Sequence, residues 1–264
     1  MLRLDLNLET LPSDTMRAIG FLTRMPVAAK WFDDDDGTLS QTCRAFPIAG
    51  ALSTLPSILV IVTGTVLDLP VLLTAAFAIT ALVIVCGGLH EDGLADTADG
   101  FYGAGTAERR LEIMKDSHIG SYGAMALIAA FTLRTIALAS LLQTGLFTAV
   151  ACLIGAVVVG KVALVWHWTE LSSARTGGTA DKAGTPTEDA SVFALTTGAV
   201  IAIVLALTLR GFTPTIIAAA FAALAAIGFR KLCIDKITGH TGDTLGASAI
   251  MTEIAFLAGL ASGL

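Results

Sequence analysis

Residues 119–168 read IGSYGAMALIAAFTLRTIALASLLQTGLFTAVACLIGAVVVGKVALVWHW, and Arg134 and Lys161 are the only lysine, arginine or acidic residues among them. A helix that crosses a membrane needs about 20 mostly apolar residues, so this stretch is long enough for two such helices. Gln143-Thr144-Gly145, near the middle of the stretch, is typical of a turn. The sequence therefore predicts a hairpin of two membrane-spanning helices.

Further apolar stretches lie between charged residues on either side of this hairpin, and they bring the predicted number of spans to seven. They run between Arg44 and Asp68, Asp68 and His90, Asp189 and Arg210, Arg210 and Arg230, and Asp243 and Leu264. The sixth span, which Pro214 opens, is short enough to be tilted or re-entrant, and six spans are the alternative.

The composition also indicates a membrane protein. The 264 residues are 55% hydrophobic and 14% charged, whereas a soluble domain has roughly 25% charged residues. We predict an all-α polytopic membrane helical bundle that forms a single domain, 1–264, with a cytoplasmic or interfacial N-terminal segment, 1–46, and the bundle proper, 47–264. The four cysteines have no short spacing, which favours packing roles over a disulfide framework or a zinc site; they are Cys43, Cys86, Cys152 and Cys233.

The distribution of basic residues predicts the orientation. If the spans alternate, residues 1–46, 88–120, 168–191 and 230–243 share one side of the membrane, and every Lys and Arg outside the spans except Arg210 lies on that side. By the positive-inside rule this side is cytoplasmic, so we expect a multi-pass protein of a bacterial inner membrane with its site facing the cytoplasm. The excess of acidic over basic residues, 22 against 16, argues against nucleic-acid binding.

The N-terminal residues lack the features of a cleaved signal. Residues 1–14, MLRLDLNLETLPSD, alternate apolar with polar residues and contain no continuous apolar core. Residues 14–25, DTMRAIGFLTRM, have apolar side chains at helical spacing and two arginines. They predict a helix that lies in the membrane interface, with a short soluble capping helix as the alternative.

The most informative stretch is GGLHEDGLADTADG, residues 87–100, which directly follows the second predicted span. Asp92, Asp96 and Asp99 stand at i, i+4 and i+7 and would share one face of a helix, with Glu91 beside it. Carboxylates that repel one another on one face favour a bound Mg²⁺, which prefers oxygen ligands and bridges carboxylates to substrate phosphates. Gly93 would let a phosphorylated ligand approach the backbone. The alternative is that these acids only cap and solvate a helix end.

Two other segments on the predicted cytoplasmic side carry complementary chemistry. In KDSHIGSYG, residues 115–123, Asp116 or Ser117 would be an N-cap of the third span; in the functional interpretation Asp116 is a further metal ligand, and Lys115 or His118 contacts phosphate or transfers a proton. In TGHTGD, residues 238–243, glycines precede a helix and expose backbone N–H groups that can hold phosphate. A polar turn would look the same.

Three ionisable residues lie within predicted spans, namely Arg134, Lys161 and Glu253. Each costs several kcal/mol near the middle of the bilayer unless it is paired or hydrated. They could line a cavity that opens toward the acidic stretch and hold phosphate. Alternatively, Glu253 pairs with Lys161 or Arg134 and fixes the packing of the helices.

Several motifs, in order along nearly the whole chain, resemble those of the cobalamin synthases, the adenosylcobinamide-GDP ribazoletransferases. The motifs are FLTRMP at 21–26, RAFPIAG at 44–50, GGLHEDGLADTADGF at 87–101, EIMKDS at 112–117 with IG and YG following, and TGD at 241–243 with LGA and Glu253 following. The chain departs from the family at Gly160-Lys161, where an arginine is common, and at Gly239-His240, where a double glycine is common; the roles of Lys161 and His240 are therefore open.

The resemblance implies that α-ribazole, or its 5′-phosphate, reacts with adenosylcobinamide-GDP and Mg²⁺ to give adenosylcobalamin, or its phosphate, and GMP. The expected metal ligands are Asp92, Asp96 and Asp99, with Glu91 assisting. Asp116 and His118 complete the catalytic candidates, and a carboxylate is the alternative general base. The substrate-binding candidates are Lys115, Arg134, Lys161 and Arg175 as a diphosphate clamp, together with Tyr122, Gly242 and Asp243.

Two other classes of membrane protein fit the sequence less well. DGLAD, residues 92–96, is similar to part of the CDP-alcohol phosphotransferase motif, but the arginine expected after its alanine is absent. An ion-coupled transporter would use the intramembrane charges as a pathway, but we find no second copy of the acidic stretch. Small residues in the fourth span, Ala151, Gly155 and Ala156, would allow close helix packing, and the sequence leaves open whether the partner helix belongs to the same chain or to a homo-oligomer. Residues 171–190 have the composition of a loop that orders on substrate binding.

Overall fold

The structure is a computed structural model that describes residues 8–32, 39–175 and 177–264. Over these residues it is helical and contains no strand, which confirms the predicted all-α class. The helices are α1 (Leu11–Leu22), α2 (Phe46–Ser53), α3 (Leu55–Val66), α4 (Val71–Val85), α5 (Leu89–Gly103), α6 (Ala107–Ile113), α7 (Ser121–Thr144), α8 (Leu146–Glu170), α9 (Thr179–Lys182), α10 (Glu188–Arg210), α11 (Phe212–Ile237) and α12 (Gly242–Leu260). Short 3-10 helices occupy Leu8–Thr10, Ala29–Trp31 and Thr42–Ala45.

Six helical segments among the described residues are long and apolar enough to cross a membrane. They are Thr42–Val66, which combines a 3-10 turn with α2 and α3, and the helices α7, α8, α10, α11 and α12. The pair α4 and α5 would count as a seventh span but is bent by 90°. The choice between six and seven spans therefore depends on the second predicted span, and not on the sixth, where the sequence analysis placed it.

The bend lies at Gly87 and Gly88, whose φ angles of 62° and 67° are in the left-handed region that glycine tolerates best. The side chain of Arg24 packs against Gly87, and the Arg24 amide donates to the carbonyl of Val85 over 2.7 Å. The acidic stretch therefore begins a new helix, α5, and does not prolong the second span.

The sixth predicted span is longer than expected. Helix α11 has 26 residues, and it continues past Arg230 to Ile237. Cys233 and Ile237 are buried in this last turn, while Lys231 and Asp235 are exposed, so the end of the helix is amphipathic. The expectation of a short or re-entrant span was wrong because it ended the helix at its first charged residue.

Helix α8 is at the centre of the bundle. Its buried residues Leu153, Val157 and Val158 belong to the largest apolar core, which also includes residues of α4, α7, α10 and α12. A Cβ added at Gly155 would meet Phe256 of α12 and Ala202 of α10. The small residues of the fourth span therefore pack against helices of the same chain, and they do not argue for a homo-oligomer.

All four cysteines are free and buried, as the packing interpretation predicted.

Helix α1 lies against α2 and starts at Leu11, slightly before the predicted segment. Ala18, Ile19 and Leu22 are buried against Phe46 and its neighbours in a second apolar core. Asp14 accepts a hydrogen bond from Nε of Arg44 over 2.6 Å, and both side chains are almost fully buried. This ion pair connects the FLTRMP segment to the RAFPIAG segment at the entrance of the first span.

Candidate functional site

The acidic residues of α5 form one face of the helix, as their spacing predicted. All of Leu89–Gly103 is helical, so Asp92, Asp96 and Asp99 follow one another along a single side. Asp92 is exposed, Asp96 is half-buried and Asp99 is buried. The three carboxylates therefore lie at increasing depth, and only the first two are open to a ligand.

Helix α12 crosses α5 at two glycines and brings a further carboxylate to this face. A Cβ added at Gly93 would lie 2.6 Å from the carbonyl oxygen of Asp243, and one added at Gly246 would lie 3.2 Å from Cα of His90. The small surface of Gly93, which we expected to admit a ligand, is thus filled by α12. The crossing places Asp243 beside Asp92 and Asp96, and we call these three residues the acidic cluster.

Arg175 is the cation of this site. Its Nη1 lies 3.6 Å from Oδ2 of Asp243, and its Nη2 donates to the carbonyl of Leu111 over 2.6 Å. The Nε atom is buried and has no hydrogen-bond partner among the described residues. Arg175 is therefore held at the acidic cluster, and its contact with a phosphorylated substrate stays a prediction.

The electrostatics of the acidic cluster favour a bound cation. Helix α5 lies outside the six spans, and burial, followed by the charges of Asp92, Asp243 and Asp99, raises the pKa of Asp96 to about 7. Arg175 opposes this shift but does not cancel it. A divalent cation would relieve this repulsion, because it stabilises the ionised form of each carboxylate.

A metal ion would need ligands beyond the protein. No three His, Cys, Asp or Glu side chains among the described residues are close enough together to hold a metal by themselves. Mg²⁺ is commonly bound through one or two carboxylates, with substrate phosphates and water as the other ligands. The donor set of the acidic cluster fits this second mode, in which the metal binds together with a diphosphate.

Asp99 has a structural partner that the sequence did not indicate. Its two carboxylate oxygens accept hydrogen bonds from the amides of Gly120 over 2.7 Å and Gly123 over 2.9 Å. These amides are at the start of α7, where backbone N–H groups lack partners within the helix. Asp99 thus caps α7 from another helix, and the capping alternative holds for this acid. The expected cap by Asp116 or Ser117 was wrong.

Arg134 does not form part of a diphosphate clamp. Its guanidinium is 2% exposed and lies 2.8 Å from Oε1 of Glu253 and 2.8 Å from Oε1 of Glu91. Two carboxylates therefore compensate one buried cation, and the pairing alternative for Arg134 and Glu253 is correct. Glu91 turns away from the acidic cluster toward Arg134, so the geometry does not support it as a metal ligand there.

Lys161 is also withdrawn from the substrate side. Its Nζ lies 3.0 Å from Nε2 of His90, and its stem packs on Gly50 of the RAFPIAG motif, where a Cβ would lie 2.8 Å from Cγ of the lysine. The cavity among Lys161, Arg134 and Glu253 has a volume of about 10 Å³, which is room for about one water molecule. Neither a phosphate site nor an ion pathway fits there.

The segment 115–123 lies at the surface. Asp116 accepts hydrogen bonds from the amide and from Nδ1 of His118, over 3.0 and 2.7 Å, and both side chains are largely exposed. These local bonds lower the pKa of Asp116. Lys115 and Tyr122 are exposed, and the Tyr122 ring lies 5.7 Å from that of Tyr102. The structure therefore does not bring Asp116 or His118 into the acidic cluster, and their catalytic roles remain predictions.

The segment 238–243 starts α12, as predicted. Thr241 is the N-cap, and Thr241 and Thr244 form a capping box in which each hydroxyl accepts from the other residue's amide. Gly242 and Asp243 form the first turn, whose backbone N–H groups favour an anion. His240 is buried, and its backbone bonds to Ser172 and Ala174 join this turn to the loop that carries Arg175. These backbone bonds explain why residues 238–243 lie next to the loop that carries Arg175.

Sequence reasoning missed an apolar cavity beside the acidic cluster. The cavity has a volume of about 220 Å³ and contains the side chains of Phe21, Phe46 and Trp168. Asp92 and Asp243 lie at its border. The sequence did contain one indication of this cavity, since the motifs FLTRMP and RAFPIAG each include a phenylalanine that lines it.

Comparison with known proteins gives consistent matches over the whole chain. The family model for cobalamin-5-phosphate synthase, CobS, matches residues 14–261. Three relatives are named adenosylcobinamide-GDP ribazoletransferase. The protein from Sinorhizobium sp. is 45% identical over 252 residues, which cover 94% of this chain and 95% of the relative. The proteins from Brucella anthropi and Rhizobium meliloti are 40% identical over 257 residues and 42% identical over 260 residues; both matches cover 97% of this chain, with 99% and 98% of the respective relatives. No solved structure matches the chain significantly.

Proposed function

Because this chain belongs to the cobalamin-5-phosphate synthase family, we propose that it is an adenosylcobinamide-GDP ribazoletransferase. The observation that carries the proposal is the crossing of α5 and α12, which places Asp92, Asp96 and Asp243 with Arg175 at one site. Carboxylates that can hold a metal ion, next to an arginine that can bind phosphate, are suited to the transfer of a diphosphate-linked group. The substrates are adenosylcobinamide-GDP and α-ribazole or its 5′-phosphate.

The reaction exchanges one phosphorus–oxygen bond for another. A hydroxyl oxygen of the riboside forms a bond to the phosphorus that carries the cobinamide. The bond from that phosphorus to the oxygen bridging it to GMP breaks, and GMP leaves with the bridging oxygen. The hydroxyl proton passes to a base or to solvent. Negative charge builds on the phosphoryl oxygens in the transition state and must be stabilised.

The residues of the site have separate roles in this reaction. Arg175 binds the diphosphate through its guanidinium, whose Nη1 atom faces the acidic cluster, and the first-turn amides of α12 orient the same group. Asp92, Asp96 and Asp243 would hold Mg²⁺, which supplies charge neutralisation of the phosphoryl oxygens. Asp92, the most exposed of the three, is also near enough to the cavity border to orient the riboside hydroxyl.

We place the site on the cytoplasmic side of a bacterial inner membrane. The loops and helix ends on the side of the acidic cluster contain Arg109, Arg110, Arg175, Arg230 and Lys236, whereas the opposite turns contain Arg210. This asymmetry supports the orientation through the positive-inside rule. The phosphorylated substrates would then enter from the cytoplasm.

The test is GMP release by the purified protein in liposomes, given adenosylcobinamide-GDP and α-ribazole 5′-phosphate, with Mg²⁺ or with EDTA. We expect release of GMP and formation of the cobamide in equal amounts, and loss of both with EDTA. GMP release without a cobamide product would instead indicate a hydrolase. No release by protein that elutes as a single folded species would contradict the proposal.

A further inference from the structure

The apolar cavity beside the acidic cluster has features that a hydrophobic core does not require. It lies between α1, α2, the start of α5, the end of α8 and the start of α12, and its volume is about 220 Å³. An apolar cavity of roughly 150 Å³ is large enough to bind benzene. This cavity is therefore large enough for a planar ring system of two fused rings.

Three aromatic side chains contribute to its walls, namely Phe21, Phe46 and Trp168. The rings of Phe21 and Phe46 are stacked with centroids 6.0 Å apart, and those of Phe46 and Trp168 with centroids 6.2 Å apart. The indole N–H of Trp168 donates to the carbonyl of Gly184 over 3.0 Å. Since that polar atom is already bonded, the tryptophan presents apolar surface to the cavity.

The remaining walls offer few hydrogen-bond partners. Leu22, Leu39, Leu164 and Leu245 line the cavity, and the ring of His90 has its Nε2 atom beside Lys161. Asp92 and Asp243, which belong to the acidic cluster, also line the cavity. A ligand that fits has an apolar aromatic body with a polar group attached at one end.

Both substrates of the proposed reaction carry a base, and the walls discriminate between them. Guanine has donors and acceptors along its edges. Asp92 and Asp243 could bond only the donors that face them, and the groups that face leucine and phenylalanine would lose their water without replacement, which is costly. The benzimidazole base of α-ribazole has no donor and a single acceptor, its second ring nitrogen, and its ribose would extend toward Asp92. We propose that this cavity binds the base of the riboside and sets the preference of the enzyme among riboside bases, an inference that rests on the proposed function.

Phe21 allows a mild test because it is 44% exposed and can be truncated without opening the core. Phe21→Ala should raise the KM for α-ribazole roughly five-fold or more, since an aromatic side chain that stacks on a base contributes about that much to binding. The KM for adenosylcobinamide-GDP should not change. Phe32→Ala is the matched control, because Phe32 is 39% exposed and packs on Gly20 of α1, the helix that carries Phe21. Phe32 is not part of the cavity wall.

Ala183 supplies the second variant, since it lies in the cavity wall and its carbonyl accepts from Leu39 through the backbone alone. Ala183→Leu should narrow the cavity and raise the KM more for the riboside of 5,6-dimethylbenzimidazole than for that of unsubstituted benzimidazole. Wild-type protein should discriminate against the adenine riboside.

Turnover and equilibrium binding of α-ribazole, measured by calorimetry, separate the two proposals. If wild-type protein turns over but Phe21→Ala behaves like Phe32→Ala, the cavity assignment is overturned and the function stands. An increase in the KM for adenosylcobinamide-GDP alone would place guanine in the cavity and also overturn the assignment. If wild-type protein binds α-ribazole in a Phe21-dependent way but releases no GMP, the function is wrong and the cavity assignment holds.

Discussion

The guanidinium of Arg134 and the carboxylate of Glu253 form an ion pair in the interior of the bundle, with Nε 2.8 Å from Oε1. The pair connects α7 to α12, and the second bond of Arg134, to Glu91, connects both to the start of α5. Helix α5, which carries Asp92 and Asp96, is thus fixed at its first turn by a buried arginine of α7. Its position depends on Arg134, although Arg134 is too far inside to contact the substrate.

Arg134→Met should therefore destabilise the protein strongly, because it leaves two carboxylates buried without a partner. Removing one member of a buried ion pair costs about 3–5 kcal/mol in the free energy of unfolding, which corresponds to a decrease of roughly 6 °C or more in Tm. Thermal unfolding can be followed with a thiol-reactive dye, since all four cysteines are buried.

Arg109→Met is the matched control for this prediction. Arg109 pairs with Glu112 at the surface, where both side chains are about two-thirds exposed, and such pairs contribute about 0–1 kcal/mol. We expect its Tm to stay within a few degrees of that of wild-type protein. Equal Tm values for the Arg134 and Arg109 variants would show that the buried pair does not stabilise the fold.

The crossing of α5 and α12 predicts that Gly93→Ala reduces both stability and activity. Its Cβ would lie 2.6 Å from the carbonyl oxygen of Asp243, and a backbone atom cannot move aside without shifting α12. Gly228→Ala, in α11, is the control, because a Cβ there meets nothing within 4 Å and alanine favours the helix by about 1 kcal/mol. Tm and the rate of GMP release should decrease in the first variant and be maintained in the second; unchanged activity of Gly93→Ala would contradict the close crossing.

These contacts show what the sequence can and cannot predict. The spans are local properties of hydropathy, and the sequence predicted them apart from the length of α11 and the second span, where α4 is short and the chain bends by 90° into α5. It also offered the Arg134–Glu253 pair as an alternative. It could not assign Glu91 to that pair or place Asp243 beside Asp92, because these contacts depend on how α5 bends at Gly87 and Gly88 and which helix it then crosses.

Substitutions of the acidic residues of α5 should affect either catalytic activity or thermal stability, depending on the residue. Asp92→Asn or Asp96→Asn should abolish transfer with little change in Tm, because each removes a charge that repels its neighbours in the folded protein. Asp99→Ala should lower the free energy of unfolding by about 0.5–2 kcal/mol, the usual cost of losing a helix cap. Measuring GMP release and Tm for all three variants separates these roles.

Asp235→Asn is the control for these substitutions, since Asp235 is an exposed carboxylate on α11 outside the acidic cluster. It should preserve both activity and Tm. Near wild-type turnover of Asp92→Asn and Asp96→Asn would refute the assignment of the acidic cluster. An unchanged Tm of Asp99→Ala would show that the start of α7 does not need the carboxylate.

His240 predicts a dependence of stability on pH. The residue lies between α11 and α12, and burial lowers its pKa from 6.5 to about 4. Between these values the unfolded chain binds a proton that the folded protein does not. The contribution of the neutral imidazole to stability is therefore full above about pH 6.5 and is lost as the pH falls from 6.5 toward 4. Replacing His240 should remove this part of the acid sensitivity.

We would compare Tm at pH 7.5 and pH 5 for wild-type protein, His240→Asn and His118→Asn. The other ionisable groups are the same in wild-type protein and His240→Asn, so the difference between their Tm changes isolates one imidazole. His118 is the control because its side chain is 89% exposed and its pairing with Asp116 is at the surface. The decrease in Tm between the two pH values should be smaller in His240→Asn than in wild-type protein and equal to wild type in His118→Asn. An equal decrease in all three would mean that His240 is protonated in the folded protein, and that the turn before α12 opens to water.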